Sequence, residues 1–226
     1  MSDFSYQLIR AILYIFFKLF NRLEVIGGKN VPKNGGVIVA ANHVSYLDPP
    51  VLGVALKRRP TYIAKEGLFR IPFIGRIVRA CCFPVKRDKP QPSIIKEAVT
   101  RLKGGGVLIL FPEGSRSADG NFLDAKRGVG MIAGMSAVPV VPTLIEGTDR
   151  AFPVGAKLLR PAKIKVVFGN PITIRGKETG KVSQERISRE IMETIRKLKN
   201  KERRTKSKEL KSLYVILFAL CSVLIQ

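Results

Sequence analysis

His43 is the only histidine in the sequence, and it stands five residues before Asp48 in the run NHVSYLD, residues 42–48. Pro49 and Pro50 follow. Proline is favoured in the first turn of a helix, where its missing N–H is no loss, and aspartate is a good N-cap. A helix is therefore expected to begin at Asp48, with His43 on the loop leading into it. Such a loop can fold the imidazole back onto the carboxylate, fixing one tautomer and stabilising the protonated ring. Free imidazole titrates near neutrality, so a ring held this way is suited to act as a general base. The plainer alternative makes Asp48 an ordinary cap and His43 a surface loop residue, and spacing alone does not choose between them. No metal is indicated, because one histidine without a cysteine cluster is not a ligand set.

Three further runs lie at or after apolar stretches. In FPEGSRS, residues 111–117, Gly114 beside Glu113 permits close backbone approach, and Arg116 can grip a phosphate through two parallel hydrogen bonds. It follows an apolar strand-like run, where open α/β sheets commonly place ligand sites; a plain turn is the competing reading. FPVKRD, residues 83–88, offers Arg87 as a second phosphate-binding group. VPVVPTLIEG, residues 138–147, carries little chemistry and is expected to wall the core or an apolar channel. The triplet Gly104–Gly106 lacks the Lys–Ser/Thr that completes a P-loop, so it is expected as a helix stop and nucleotide binding is rejected.

Positioning these loops falls to an alternating pattern of elements. Strand-like apolar runs occur at Gly36–Ala41, Thr61–Ala64, Cys81–Val85, Val107–Phe111, Val138–Ile145 and Ile164–Phe168. Helical stretches fall among them at Pro50–Lys57, Leu68–Arg79, Ile94–Leu102 and Gly128–Ala137. This alternation predicts an α/β fold, a single domain with a mostly parallel central sheet flanked by helices. Ile187, Ile191, Ile195 and Leu198 recur at helical spacing and are expected to dock one more helix on the core.

The ends differ from the middle. Phe4–Phe20 is apolar almost all round, too short for an easy span but suited to a helix lying in one leaflet, with Lys18 and Arg22 reaching toward head groups. Burial against the core is the alternative for this helix. Asn200–Lys211 reads as a basic tether, extended or helical, and Leu213–Ile225 as a short apolar segment. The expected layout is thus a membrane-associated helix over residues 1–22, a domain over 23–200, and a tether with apolar end over 201–226. Basic residues beside apolar anchors suggest the cytoplasmic face of a membrane.

Composition supports an anionic partner. Forty Lys and Arg against 17 Asp and Glu give a formal charge of +23, which concentrates anions at the surface. The aromatics are mostly Phe within apolar runs, and neither a finger nor an RNP motif is present, so an acidic lipid surface is favoured and nucleic acid is not. Three cysteines, Cys81, Cys82 and Cys221, imply no disulfide framework, and CCFPV reads as a buried strand rather than a nucleophile's setting.

Taken together, these motifs resemble the glycerolipid acyltransferase family over about residues 24 to 198. NHVSYLD is similar to its first motif. Lys65-Glu-Gly-Leu, Pro72, Gly75 and Phe83 to Arg87 are similar to the second, FPEGSRS to the third and VPVVPT to the fourth. The stretch from Arg160 through Phe168-Gly-Asn-Pro-Ile172 resembles the closing strand. The wording is nearest that of the bacterial 1-acyl-glycerol-3-phosphate acyltransferase type, with Ser115 in place of the more usual Thr and Gly67 interrupting the second motif. The resemblance implies transfer of a fatty acyl group from acyl-CoA or acyl-carrier protein to a lysophosphatidic-acid-like acceptor, without a cofactor. It implies His43 as base, Asp48 as its orienting partner, and Arg87, Glu113, Gly114 and Arg116 as substrate-binding residues. Other acceptors, such as glycerol-3-phosphate, and a non-catalytic protein binding anionic lipid are the rival readings.

Overall fold

A computed structural model describes residues 3–70, 75, 82–85, 92–117, 120–153, 155–174, 176 and 178–224. The chain opens with helix α1 (Asp3–Phe20) and continues through β1 (Glu24–Ile26), β2 (Val37–Ala41), α2 (Asp48–Ala55), β3 (Pro60–Lys65) and β4 (Cys82–Val85). It proceeds through α3 (Pro92–Lys103), β5 (Val107–Leu110), α4 (Arg127–Ser136), β6 (Val140–Glu146), the single turn α5 (Thr148–Ala151), β7 (Lys165–Phe168) and α6 (Lys181–Leu224).

Among the described residues the strands form one sheet in the order β1-β7-β6-β2-β5-β3-β4. Pairing is parallel throughout, except between β6 and β7. Parallel strands are joined by crossovers that place helices on both faces, and such strands read as unbroken apolar runs because neither face meets water. β2 follows that rule, since all five residues of VIVAA are buried. Its side chains alternate between two cores as a strand requires. Ile38 and Ala40 join α3, α4 and α6 on one face. Val37, Val39 and Ala41 join Phe17 of α1 and Val51, Leu52 and Val54 of α2 on the other.

The predicted α/β architecture with a mostly parallel sheet is thus present, and the apolar stripe Ile187, Ile191 and Ile195 is buried against the core. The glycines after α3 end it as expected, with the amides of Gly104, Gly105 and Gly106 bonded back to Thr100, Leu102 and Arg101. β1 was not anticipated: it is three residues long and begins with a glutamate, leaving no apolar period to read. Over the predicted helix Leu68–Arg79, residues Glu66–Arg70 form a 3-10 turn, and most of the remainder lies outside the described residues.

Both ends are helical, the first as expected and the second in one of the two forms expected of the basic stretch. α6 runs without a break from the docked stripe through the basic stretch, so Asn200–Lys211 is helical. Lys165 of β7 pairs with Glu202, and Lys206 with Glu146 of β6 at 3.5 Å, which ties the helix to the sheet beyond its apolar stripe. α1 is 18 residues long, and among the described residues no helix is long and apolar enough to cross a membrane. The helix packs on α2, where the Arg10 Nε–H donates to the Leu56 carbonyl at 2.8 Å. Phe17 is its one buried side chain, whereas Phe4, Leu8, Ile12, Ile15 and Leu19 are exposed. The Lys18 ammonium turns back to the Leu23 carbonyl at 3.2 Å instead of reaching outward.

Candidate active site

Two loops build the site, and the sheet sets them side by side. Ala40 of β2 and Leu110 of β5 are paired neighbours on parallel strands. His43 and Glu113 each stand three residues beyond that pair, so both loops leave the same edge at the same height. This edge, at the carboxyl ends of adjacent parallel strands, is where open α/β sheets place ligands.

In the first loop the His43 Nδ1 lies 2.8 Å from Asp48 Oδ2. The same oxygen accepts the backbone N–H groups of Val44 at 2.7 Å and Ser45 at 2.8 Å. An oxygen that gathers donors in this way is itself an acceptor, so the geometry favours the tautomer with the hydrogen on Nδ1 and with Nε2 as the acceptor nitrogen. The His43 side chain is 13% exposed and that of Asp48 is fully buried. The ring also stacks on Phe111, with centroids 4.0 Å apart and planes 18° from parallel. Asp48 is the first residue of α2 and Leu47 occupies the cap position without a side-chain cap. The carboxylate therefore serves the loop rather than capping the helix in the expected way. Pro49 and Pro50 fill the first turn, where no N–H is needed.

The second loop is braced against the first by Glu113. Its Oε1 accepts the His43 backbone N–H and its Oε2 that of Leu123, each at 2.9 Å. The side chain is 1% exposed, and burial raises its pKa above the ordinary glutamate value, against the two backbone hydrogen bonds, which lower it. Both Glu113 oxygens thus have backbone amide partners. The loops are stitched again by the Ser117 N–H, which donates to the His43 carbonyl at 2.9 Å.

Gly114 has φ +69°, and a Cβ there would stand 2.7 Å from the Lys126 side chain. Glycine is favoured here by its conformation, whereas the flexible end of the Lys126 side chain could move aside. Arg116 lies with its guanidinium carbon 3.3 Å above the Tyr46 ring. Arg87 lies outside the described residues. Among the described residues no group of three or more His, Cys, Asp or Glu side chains gathers as metal ligands would.

Sequence reasoning missed Asn42, Phe111, Tyr46 and Leu123 as contributors. Asn42 is buried, and its amide exchanges two hydrogen bonds with the Ile145 backbone at 2.8 and 3.0 Å, fixing the loop to β6. Its position before His43 was the one available signal. The Leu123 contribution is a backbone amide, which no side-chain pattern reveals.

Comparison with known proteins agrees with this geometry. Residues 22–146, which contain both loops, match the family described as Acyltransferase. The chain is 31% identical over 169 residues to the 1-acyl-sn-glycerol-3-phosphate acyltransferase of Bacillus subtilis, covering 74% of this chain and 82% of that one. It is 33% identical over 158 residues to a chloroplastic 1-acyl-sn-glycerol-3-phosphate acyltransferase of Brassica napus, of which the match spans 46%. The crystal structure of the 1-acyl-sn-glycerophosphate (LPA) acyltransferase PlsC from Thermotoga maritima superposes with a TM-score of 0.64 at 29% identity, covering 88% of this chain and 84% of that one. With a family match over more than half its length and a buried His–Asp pair at the shared sheet edge, this chain belongs to the acyltransferase family of enzymes.

Proposed function

We propose that this enzyme transfers a fatty acyl group from a thioester donor, acyl-CoA or acyl-carrier protein, to the free hydroxyl of 1-acyl-glycerol-3-phosphate, forming phosphatidic acid. The observation that carries the reading is the His43–Asp48 pair, whose geometry leaves Nε2 as an acceptor at the sheet edge. In the reaction, Nε2 takes the proton of the acceptor hydroxyl as its oxygen attacks the thioester carbonyl. The C–S bond then breaks, and the departing thiolate takes that proton from the imidazolium. The thioester is activated already, so no covalent acyl-enzyme is required. Arg116, together with Arg87 from the second motif, grips the acceptor phosphate. Fixing the acceptor in this way converts encounter into positioned attack, which contributes up to about 7–11 kcal/mol in favourable cases.

The exposed apolar face of α1 supports a place for the enzyme on a leaflet, and the basic residues beside it favour the cytoplasmic face of the membrane. Acceptor and product both carry acyl chains, and a site held at that surface avoids drawing them into water. The surplus of lysine and arginine draws the anionic surface and an acidic donor toward it.

Thiol release from palmitoyl-CoA by detergent-purified enzyme tests the reading, with lysophosphatidic acid and then glycerol-3-phosphate as acceptor. Release that requires lysophosphatidic acid and vanishes in His43→Ala is expected. Release with glycerol-3-phosphate alone would reassign the acceptor. No release with either acceptor, from CoA or from carrier protein, would leave a protein that only binds anionic lipid.

A further inference from the structure

Tyr46 belongs to the loop between base and orienting carboxylate, yet it takes no part in their pairing. Its side chain is 58% exposed, so burial in the core does not account for it. Its ring lies beneath Arg116, with the guanidinium carbon 3.3 Å from the centroid, well inside the range in which an aromatic face attracts a cation. Stacking holds the plane of the guanidinium but satisfies none of its N–H groups, which point outward around its edge. One of them, on Nη1, is buried and has no hydrogen-bond partner among the described residues. A charged donor left unpaired is costly, and the edge of a guanidinium suits an oxyanion such as a phosphate, two of whose oxygens can take parallel hydrogen bonds.

The loop beneath the ring is itself rigid. The amides of Val44 and Ser45 are bonded to Asp48. The Ser45 hydroxyl donates to the Phe152 carbonyl at 2.9 Å and accepts the Leu47 N–H at 3.2 Å. Tyr46 is therefore a platform fixed on both sides by the hydrogen bonds that also hold the base.

We propose that Tyr46 is a positioning residue for the acceptor: its ring holds the Arg116 guanidinium flat, so that the N–H edge faces a phosphate monoester at a set distance from His43. This rests on the acceptor reading given above. Nothing in the 42–48 motif as a pair of catalytic side chains requires an aromatic at this position; the requirement comes from the other loop. The phosphate grip and the proton acceptor are thereby mounted on one short segment.

Steady-state kinetics of Tyr46→Phe, Tyr46→Leu, Tyr46→Ala, Arg116→Ala and the Tyr46→Ala/Arg116→Ala double variant test the assignment. Loss of an exposed stacking partner is expected to raise the acceptor KM roughly threefold to fivefold in Tyr46→Ala and Tyr46→Leu. In these variants kcat, its pH profile and the donor KM stay near wild type. Tyr46→Phe keeps the ring and is expected to match wild type, and Tyr46→Ala adds nothing once Arg116 is gone. An unchanged acceptor KM in Tyr46→Ala overturns the proposal, as does an equal effect with and without Arg116 or a Phe variant as impaired as Ala. Wild-type enzyme without turnover on lysophosphatidic acid would instead sink the acceptor reading. Calorimetric titration with glycerol-3-phosphate then decides the Tyr46 assignment alone: weaker binding by Tyr46→Ala upholds it and equal binding overturns it.

Discussion

Three side chains carry most of the argument at the scale of single residues, and each makes a distinct prediction. Removing the imidazole in His43→Ala is expected to lower kcat by about 10²–10⁴, the usual contribution of a positioned base, with little change in unfolding midpoint. Asp48→Ala is different, because it strands the Val44 and Ser45 amides as well as the ring. Activity should fall with it, and stability should drop by about 1–3 kcal/mol in a denaturant titration, as for buried donors left unmatched. Glu113 predicts a pH effect. Burial raises its pKa in the fold, so the folded protein holds that proton more tightly than the unfolded chain does. Stability from this group is present below the ordinary glutamate range and is lost as pH rises through the raised folded value. The stability of wild type relative to Glu113→Gln should accordingly decline across that window and then level off. A difference that grows with pH would contradict it. Of this site, His43 and Asp48 were legible in the sequence because a histidine, a carboxylate and two prolines state a loop and a helix start in one short run. The use of Glu113 was not, since its partners are amides of His43 and Leu123, and backbone donors leave no trace in residue type.

At the scale of elements, the sheet was readable wherever strands are covered on both faces. β2 and β5 announce themselves as unbroken apolar runs, whereas β1 is held by pairing with β7 and by no pattern of its own. α6 illustrates the opposite difficulty. Its stripe predicts docking, but the basic stretch beyond lost its apolar period and read as a tether, although Glu202 and Lys206 fasten it to Lys165 and Glu146. Lys165 and Glu202 are each nearly buried at this contact. Glu202→Ala is therefore expected to destabilise the protein by about 1–3 kcal/mol, between the values for exposed and fully buried pairs. α1 yields the sharpest test of membrane attachment. Ile12 and Ile15 are each 57% exposed, so replacing both by Glu leaves the core intact. If this face enters a leaflet, the double variant should bind liposomes at least about tenfold more weakly, because burying each side chain contributes some 1.5–3 kcal/mol. Unchanged flotation would refute the attachment.

Over the whole molecule, charge and shape act together. A formal +23 acts on anionic surfaces over roughly one screening length, about 10 Å at 0.1 M salt. Binding to vesicles containing phosphatidylglycerol should thus weaken steeply as salt is raised, while residual binding to neutral vesicles should persist with little salt dependence through α1. Loss of both in parallel would mean that the apolar face contributes nothing. This large-scale charge was plain in the composition. What composition could not convey is that α1 rests on α2, the helix whose first residue is Asp48, so that the exposed apolar face and the His43–Asp48 pair belong to neighbouring elements.

The equal step from Ala40 to His43 and from Leu110 to Glu113 has a consequence for tolerance to change. Surface loops ordinarily absorb insertions and deletions at little cost. Here the two connections are meshed like a pair of gear teeth, through His43 to Glu113 and Ser117 to the His43 carbonyl. One added residue before either tooth would carry every later contact out of step, whatever amino acid was inserted. Drift in this enzyme is therefore freer in spelling than in length: substitutions between the fixed positions can accumulate where a single insertion cannot.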